Sequence, residues 1–176
     1  RDTVDTLLAH ESGNACVARL SGGTPGLCLE ALFVAEPTIS SQWRADRFLP
    51  PTPIHVLIDV EGETSTLDSE ALRDNLAATD TAILAMPQVS ALVPQLLDTA
   101  RKKAEGQTAP IVEAALAAMH RELAPVVQRL AELAELNPSV GMLEVEAARE
   151  QLRQLQAGLG KVRVRLDAVR LLVVGP

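Results

Sequence analysis

The run Arg44-Ala45-Asp46-Arg47-Phe48-Leu49-Pro50-Pro51-Thr52-Pro53, leading directly into Ile54-His55-Val56-Leu57-Ile58-Asp59, decides how the rest of the chain is read. Prolines at three of four successive positions cannot continue a helix or a central strand. Each fixes φ, lacks an N–H donor and pushes the residue before it to an extended conformation. The chain therefore enters residues 54–59 stretched out. The apolar, β-branched text there, bounded by Asp59 and the turn-like Glu61-Gly62-Glu63, predicts a core strand.

Upstream, residues 15–20 and 27–35 are two further strand candidates. Their connection, Ser21-Gly22-Gly23-Thr24-Pro25-Gly26, is too short for a crossover and predicts an antiparallel hairpin. Val4, Leu7 and Leu8 suit a short helix over residues 2–10. Downstream, Ser65 and Asp68 have capping-box spacing, which predicts a helix over about 67–78. A second helix is expected over about 87–104, with Val89, Leu92, Leu96 and Ala100 as its stripe; Pro94 either starts or kinks it.

The clearest periodicity is Val112, Leu116, Met119, Leu123, Val126, Leu130 and Leu133, a heptad seam whose register continues across Pro125 and predicts one kinked helix. After Asn137-Pro138-Ser139, a second seam runs through Val145, Ala148, Leu152, Leu155 and Leu159. The two seams can satisfy each other as an antiparallel helical hairpin ending at Gly158 and Gly160. In the last segment Val162, Val164 and Leu166 alternate with Lys161, Arg163 and Arg165, the period of a half-exposed strand. Arg170 falls on the apolar parity, so a bulge or twist is expected near Asp167-Ala168. The sum is an α+β fold in one domain over 1–176: strand-rich over 1–62, helical over 63–160 and a closing strand over 161–176. Its sheet is expected to be mainly antiparallel, built from three N-terminal strands plus the C-terminal one, beside the long antiparallel helical hairpin.

Composition narrows the function classes. With a net charge of −7, the surface as a whole does not suit a polyanion, and only three aromatic residues, Phe33, Trp43 and Phe48, are present to stack on bases. No apolar run approaches the length of a membrane span and no signal pattern opens the chain, which predicts a cytoplasmic protein with no membrane partner. Cys16 and Cys28 lie in apolar strand text and are expected to be buried free thiols.

Few residues are arranged for chemistry. No phosphate-binding loop is present: Gly158-Leu159-Gly160-Lys161 follows a helix instead of opening one, so its backbone donors do not converge on a phosphate. His10, His55 and His120 are scattered, and with Cys16 and Cys28 they match no metal-site spacing, so no metal is expected. Asp59, Glu61 and Glu63 read as a solvated turn. Two groups remain as candidate partner contacts. Lys161, Arg163, Arg165 and Arg170 form a positive strip, with Arg101-Lys102-Lys103 as a smaller one. Such a strip can hold a phosphate backbone or protect an edge strand. Trp43, Arg44 and Arg47 in the proline-bounded loop are of the types that anchor protein interfaces, unless Trp43 or Phe48 closes the sheet edge as a lid.

The string Asp46-Arg47-Phe48-Leu49-Pro50-Pro51-Thr52-Pro53, the apolar strand after it, and Arg165-Leu166-Asp167-Ala168-Val169-Arg170-Leu171-Leu172-Val173-Val174 closely resemble the C-terminal domain of the bacterial RapA/HepA family. These are RNA polymerase-associated, helicase-like ATPases of the Swi2/Snf2 type. The resemblance follows nearly the whole chain in order and is strong in those two blocks. It implies a C-terminal fragment of a larger hydrolase, in keeping with a chain that starts at Arg1. ATP and Mg²⁺ would belong to motor domains outside it, and this fragment would need no cofactor. Partners would be core RNA polymerase, DNA through the longer protein, and the chain's own motor; oligomeric state stays open. The implied setting is bacterial transcription regulation, as an activator that recycles polymerase at the nucleoid. No catalytic residue carries over, so the fragment is expected to be an interaction or regulatory domain and not an enzyme. The alternatives are a nucleic-acid module using the basic C-terminal strand, or a small enzyme whose cleft would gather two or more of Cys16, Cys28, His55 and Asp59.

Overall fold

A computed structural model describes residues 14–22, 25–65, 75–137, 139 and 141–175. Among the described residues there are five strands: β1 Ala15–Ser21, β2 Gly26–Pro37, β3 Thr52–Asp59, β4 Leu76–Ala78 and β5 Val162–Gly175. The α-helices among the described residues are α1 Pro87–Gly106, α2 Thr108–Leu136 and α3 Met142–Leu159. The expected helix over 2–10 lies outside the described residues, as does most of the one over 67–78. Of the described residues of the latter, 75–78, Leu76–Ala78 form a strand.

The chain divides into two compact units. The first comprises the described residues of Arg1–Val34, Pro53–Gly106 and Val164–Pro176; the second comprises Ala35–Thr52 and Gln107–Arg163. The fold is α+β. Its sheet has the order β3-β2-β5-β1-β4 and is mixed, because β1 pairs antiparallel with β4 and parallel with β5.

Two expectations give way here. β1 and β2 do not form a hairpin, since β5 lies between them, and β5 is the central strand instead of a closing edge. The connection is long enough for this arrangement: two strand positions span about 10 Å, and a few extended residues at about 3.3 Å each cover that distance. Ser21, the last residue of β1, is level with Gly175, and Gly22, at φ 87°, donates its N–H to the Gly175 carbonyl at 2.9 Å. β5 reaches its place after a long helical excursion, which allows the parallel pairing that a short turn forbids.

Side-chain alternation gives the first unit its two faces. On β2, Leu29, Ala31 and Phe33 are buried on one face; Cys28, Glu30 and Leu32 occupy the other. On that second face Ala18, Leu20, Cys28, Leu57, Leu172 and Val174 form one cluster, covered in part by Leu76. α1 buries Val89, Val93, Leu96, Leu97, Ala100 and Ala104 and runs through Pro94 without a break.

In the second unit α2 and α3 form the expected helical hairpin, with Ala115 and Met119 on one helix packed on Leu155 and Leu159 of the other. The helix continues through Pro125, but the seam does not keep its register. Beyond the proline Val127, Leu130, Ala131 and Ala134 are half-buried, while Val126 is 50% exposed. Pro125 removes one i→i−4 hydrogen bond, and the inward face moves round by one residue past it.

Candidate functional site

The proline-bounded loop is built onto the helical hairpin. Residues 41–43 and 45–47 form two short 3-10 turns joined at Arg44, which sits in the left-handed region at φ 51°. Ala45 and Leu49 enter the cluster of Ala115, Met119, Leu155 and Leu159, and Trp43 and Phe48 pack against it half-buried. Arg47 lies over the Phe48 ring, 5.0 Å from its centroid, and forms an ion pair with Glu122 of α2. Trp43 and Phe48 thus cover helices and not a sheet edge. Of the loop's candidate contacts, Arg44 is exposed, while Trp43 and Arg47 are engaged within the unit.

The basic strip is matched with carboxylates. In the second unit Arg163 donates to Glu36 Oε2 at 3.1 Å. In the first unit Arg165 donates to Asp167 Oδ1 at 2.9 Å, and Arg170 Nε donates to Glu30 Oε2 at 2.5 Å. Lys161 is exposed. Edge protection does not account for these residues, because β5 is not an edge strand; carboxylates on β2 take two of the three arginines. On α1, Lys102 pairs with Asp98 at 2.7 Å, a hydrogen bond that pushes the ammonium pKa up and keeps it charged.

Glu30 is the residue the sequence reading missed. It takes His55 Nε2 at 2.8 Å on one carboxylate oxygen and Arg170 on the other, so three adjacent strands, β3, β2 and β5, share one polar row. β1 extends the row, since Cys16 is level with Arg170. Arg170, on the apolar parity of its strand, is held there by the Glu30 carboxylate. A glutamate inside the apolar run 27–35 was the available signal. Its partner is 140 residues away in sequence.

This row borders a shallow depression of about 290 Å³, lined by Cys16, Glu30, Leu32, His55, Val169 and Arg170 among others. Cys16 and His55, two of the four residues named in the enzyme alternative, both line it, but not as a dyad. Three inter-strand steps separate β3 from β1, about 14 Å, whereas a base must stand within roughly 3 Å of the proton it takes. Asp59 is spent elsewhere: its Oδ1 accepts from the N–H groups of Glu61 and Glu63 at 3.0 and 2.9 Å, capping the turn after β3. Among the described residues no group of three or more His, Cys, Asp or Glu side chains is placed to hold a metal ion. No described helix is long and apolar enough to cross a membrane.

The two cysteines differ. Cys28 is buried with its Sγ 3.9 Å from Ser65 Oγ, and burial pushes its thiol pKa up, with the Asp59 charge adding to the rise against the opposing hydrogen bond. Cys16, expected to be buried, is exposed at the rim of the depression. A disulfide-exchange reagent at pH 8 is expected to modify one thiol per chain within minutes, at Cys16, and the second only after denaturation. Two fast equivalents in the native protein would contradict this placement.

Comparison with known proteins places the whole chain. A family model described as RNA polymerase recycling family C-terminal matches residues 1–174. The chain is 31% identical over 184 residues to the RNA polymerase-associated protein RapA of Sodalis glossinidius and 30% identical over 183 residues to that of Serratia proteamaculans. It is 26% identical over 183 residues to the protein of the same name from Erwinia tasmaniensis. Each comparison covers 99% of this chain, and the chain spans 19% of the length of each of these curated relatives.

Proposed function

Because the chain belongs to the RNA polymerase recycling C-terminal family, we propose that it is a non-catalytic interaction and regulatory domain of a bacterial RNA polymerase-associated ATPase. In this reading the Swi2/Snf2-type motor, with its ATP and Mg²⁺, lies outside these 176 residues. The chain docks the motor on core polymerase during polymerase recycling, in the cytoplasm and at the nucleoid.

The observation that carries the reading is the pairing of Arg163, Arg165 and Arg170 with Glu36, Asp167 and Glu30. A phosphate track needs cations whose counterions are released on binding; here protein carboxylates already hold three of the four strip residues. The separation of His55 from Cys16 and the capping role of Asp59 support a surface role over a cleft with chemistry.

Titrating the chain with duplex DNA across a salt series tests the claim against its alternative. Weak binding with little salt dependence is expected. Tight binding that falls steeply with salt and is lost in Lys161→Glu would establish a nucleic-acid module instead.

A further inference from the structure

The free end of the helical hairpin breaks the pattern of its base. Towards the base, Met119, Leu155 and Leu159 are buried against one another. At the tip, large apolar side chains stand in water: Leu133 is 39% exposed, Leu136 83%, Met142 63% and Leu143 85%. A single exposed leucine is ordinary. Four large apolar side chains within eleven residues, at the end of a helical hairpin, are the mark of a contact surface.

The charges nearest the tip are acidic. From Leu130 to Ala148 the chain carries Glu132, Glu135, Glu144 and Glu146, with Arg129 and Arg149 standing just outside that stretch. Glu146 is taken by Arg149 at 2.8 Å, and Glu132 accepts from Gln128 at 2.9 Å. Glu135 and Glu144 make no ion pair among the described residues, and they adjoin Leu136 and Leu143 in sequence.

That combination selects the partner's chemistry. Nucleic acid and anionic lipid carry the same sign as the tip and are repelled. A second copy meeting this tip symmetrically would set Glu135 and Glu144 against their own counterparts. A protein groove with an apolar floor and a lysine- or arginine-bearing rim matches both features, with the leucines as anchors and the glutamates steering approach. We propose that the α2–α3 tip docks through Leu136 and Leu143 into such a basic-rimmed apolar groove on core RNA polymerase. This inference rests on the interaction-domain reading above and adds to it the contacting surface.

The test is equilibrium binding of the 176-residue chain to purified bacterial core RNA polymerase, followed by fluorescence anisotropy at several salt concentrations. Leu136→Ser with Leu143→Ser is expected to weaken binding at least tenfold at every salt concentration. Glu135→Gln with Glu144→Gln is expected to flatten the salt dependence and lower the association rate while leaving high-salt affinity within about threefold. Thermal melts of both variants should match the parent, because the altered side chains are largely in solvent. Parent binding that is unchanged in both variants overturns the tip assignment and leaves the interaction-domain reading standing. A parent that does not bind overturns that reading, and the tip assignment with it.

Discussion

Gly158→Val is expected to cost about 3 kcal/mol of stability, at the upper end of what overpacking exacts. Glycine inside a helix is itself unfavourable by about 1 kcal/mol relative to alanine, so its presence in the last turn of α3 needs a reason. Ile39 supplies it. A Cβ at position 158 would lie 2.4 Å from Ile39 Cδ1, 2.7 Å from its Cβ and 2.9 Å from its Cγ1. The Cδ1 methyl could swing away, but the Cβ is one bond from the backbone. The neighbouring Thr38 N–H is held by the Lys161 carbonyl at 2.9 Å. Relief therefore requires moving the start of the proline-bounded loop off the hairpin. Chemical denaturation should show the loss, and Ile39→Ala in the same chain should recover part of it, giving a coupling energy above about 0.5 kcal/mol. A Gly158→Val chain as stable as the parent, or one uncoupled from Ile39, would contradict this packing.

Phe33→Ala should be costlier still. Phe33 is 1% exposed and is the largest fully buried side chain of β2, a strand with a neighbour on each side. Deleting a buried phenyl ring removes its transfer free energy and leaves a cavity, about 3–5 kcal/mol together. For a chain of this length that corresponds to a fall in Tm of roughly 6–20 °C. Phe33→Leu keeps most of the volume and should cost less than half as much. A Phe33→Ala melt within about 2 °C of the parent, where roughly 1 kcal/mol would already move Tm by that much, would mean that the ring is not in the core.

Which features the sequence disclosed follows from the range of the interactions involved. Strands β1, β2, β3 and β5 and the helical hairpin are written in local periodicity, and the prolines at 50, 51 and 53 set where β3 starts. Strand order is not local. Nothing between Ser21 and Gly26 records that β5, some 140 residues later, will lie between β1 and β2. The fate of the basic strip was hidden for the same reason, since Arg163 and Arg170 are neutralised by Glu36 and Glu30 on another strand. The heptad seam was legible up to Pro125 and only in part after it, where Leu130 stays half-buried while Val126 and Leu133 turn outward, because the proline alters the register that a count of sevens assumes. The shift leaves Val126 in water, and Leu133, also on the expected seam, stands 39% exposed at the tip.

Cys16 and the tip leucines share a lesson. Apolar residue type predicts burial only where a covering element exists. β4, which pairs with β1 from Ala18 to Leu20, stops short of Cys16. The hairpin tip has no described element packed over Leu136 and Leu143, and it is there that a partner can add the missing cover.

The most direct measurement of the central claim is the affinity of this chain for core RNA polymerase set beside its affinity for duplex DNA in the same buffers. The account predicts polymerase binding that persists as salt is raised, because its anchors are apolar, and DNA binding that is weak throughout. Steep, salt-sensitive DNA binding with no affinity for polymerase would contradict it.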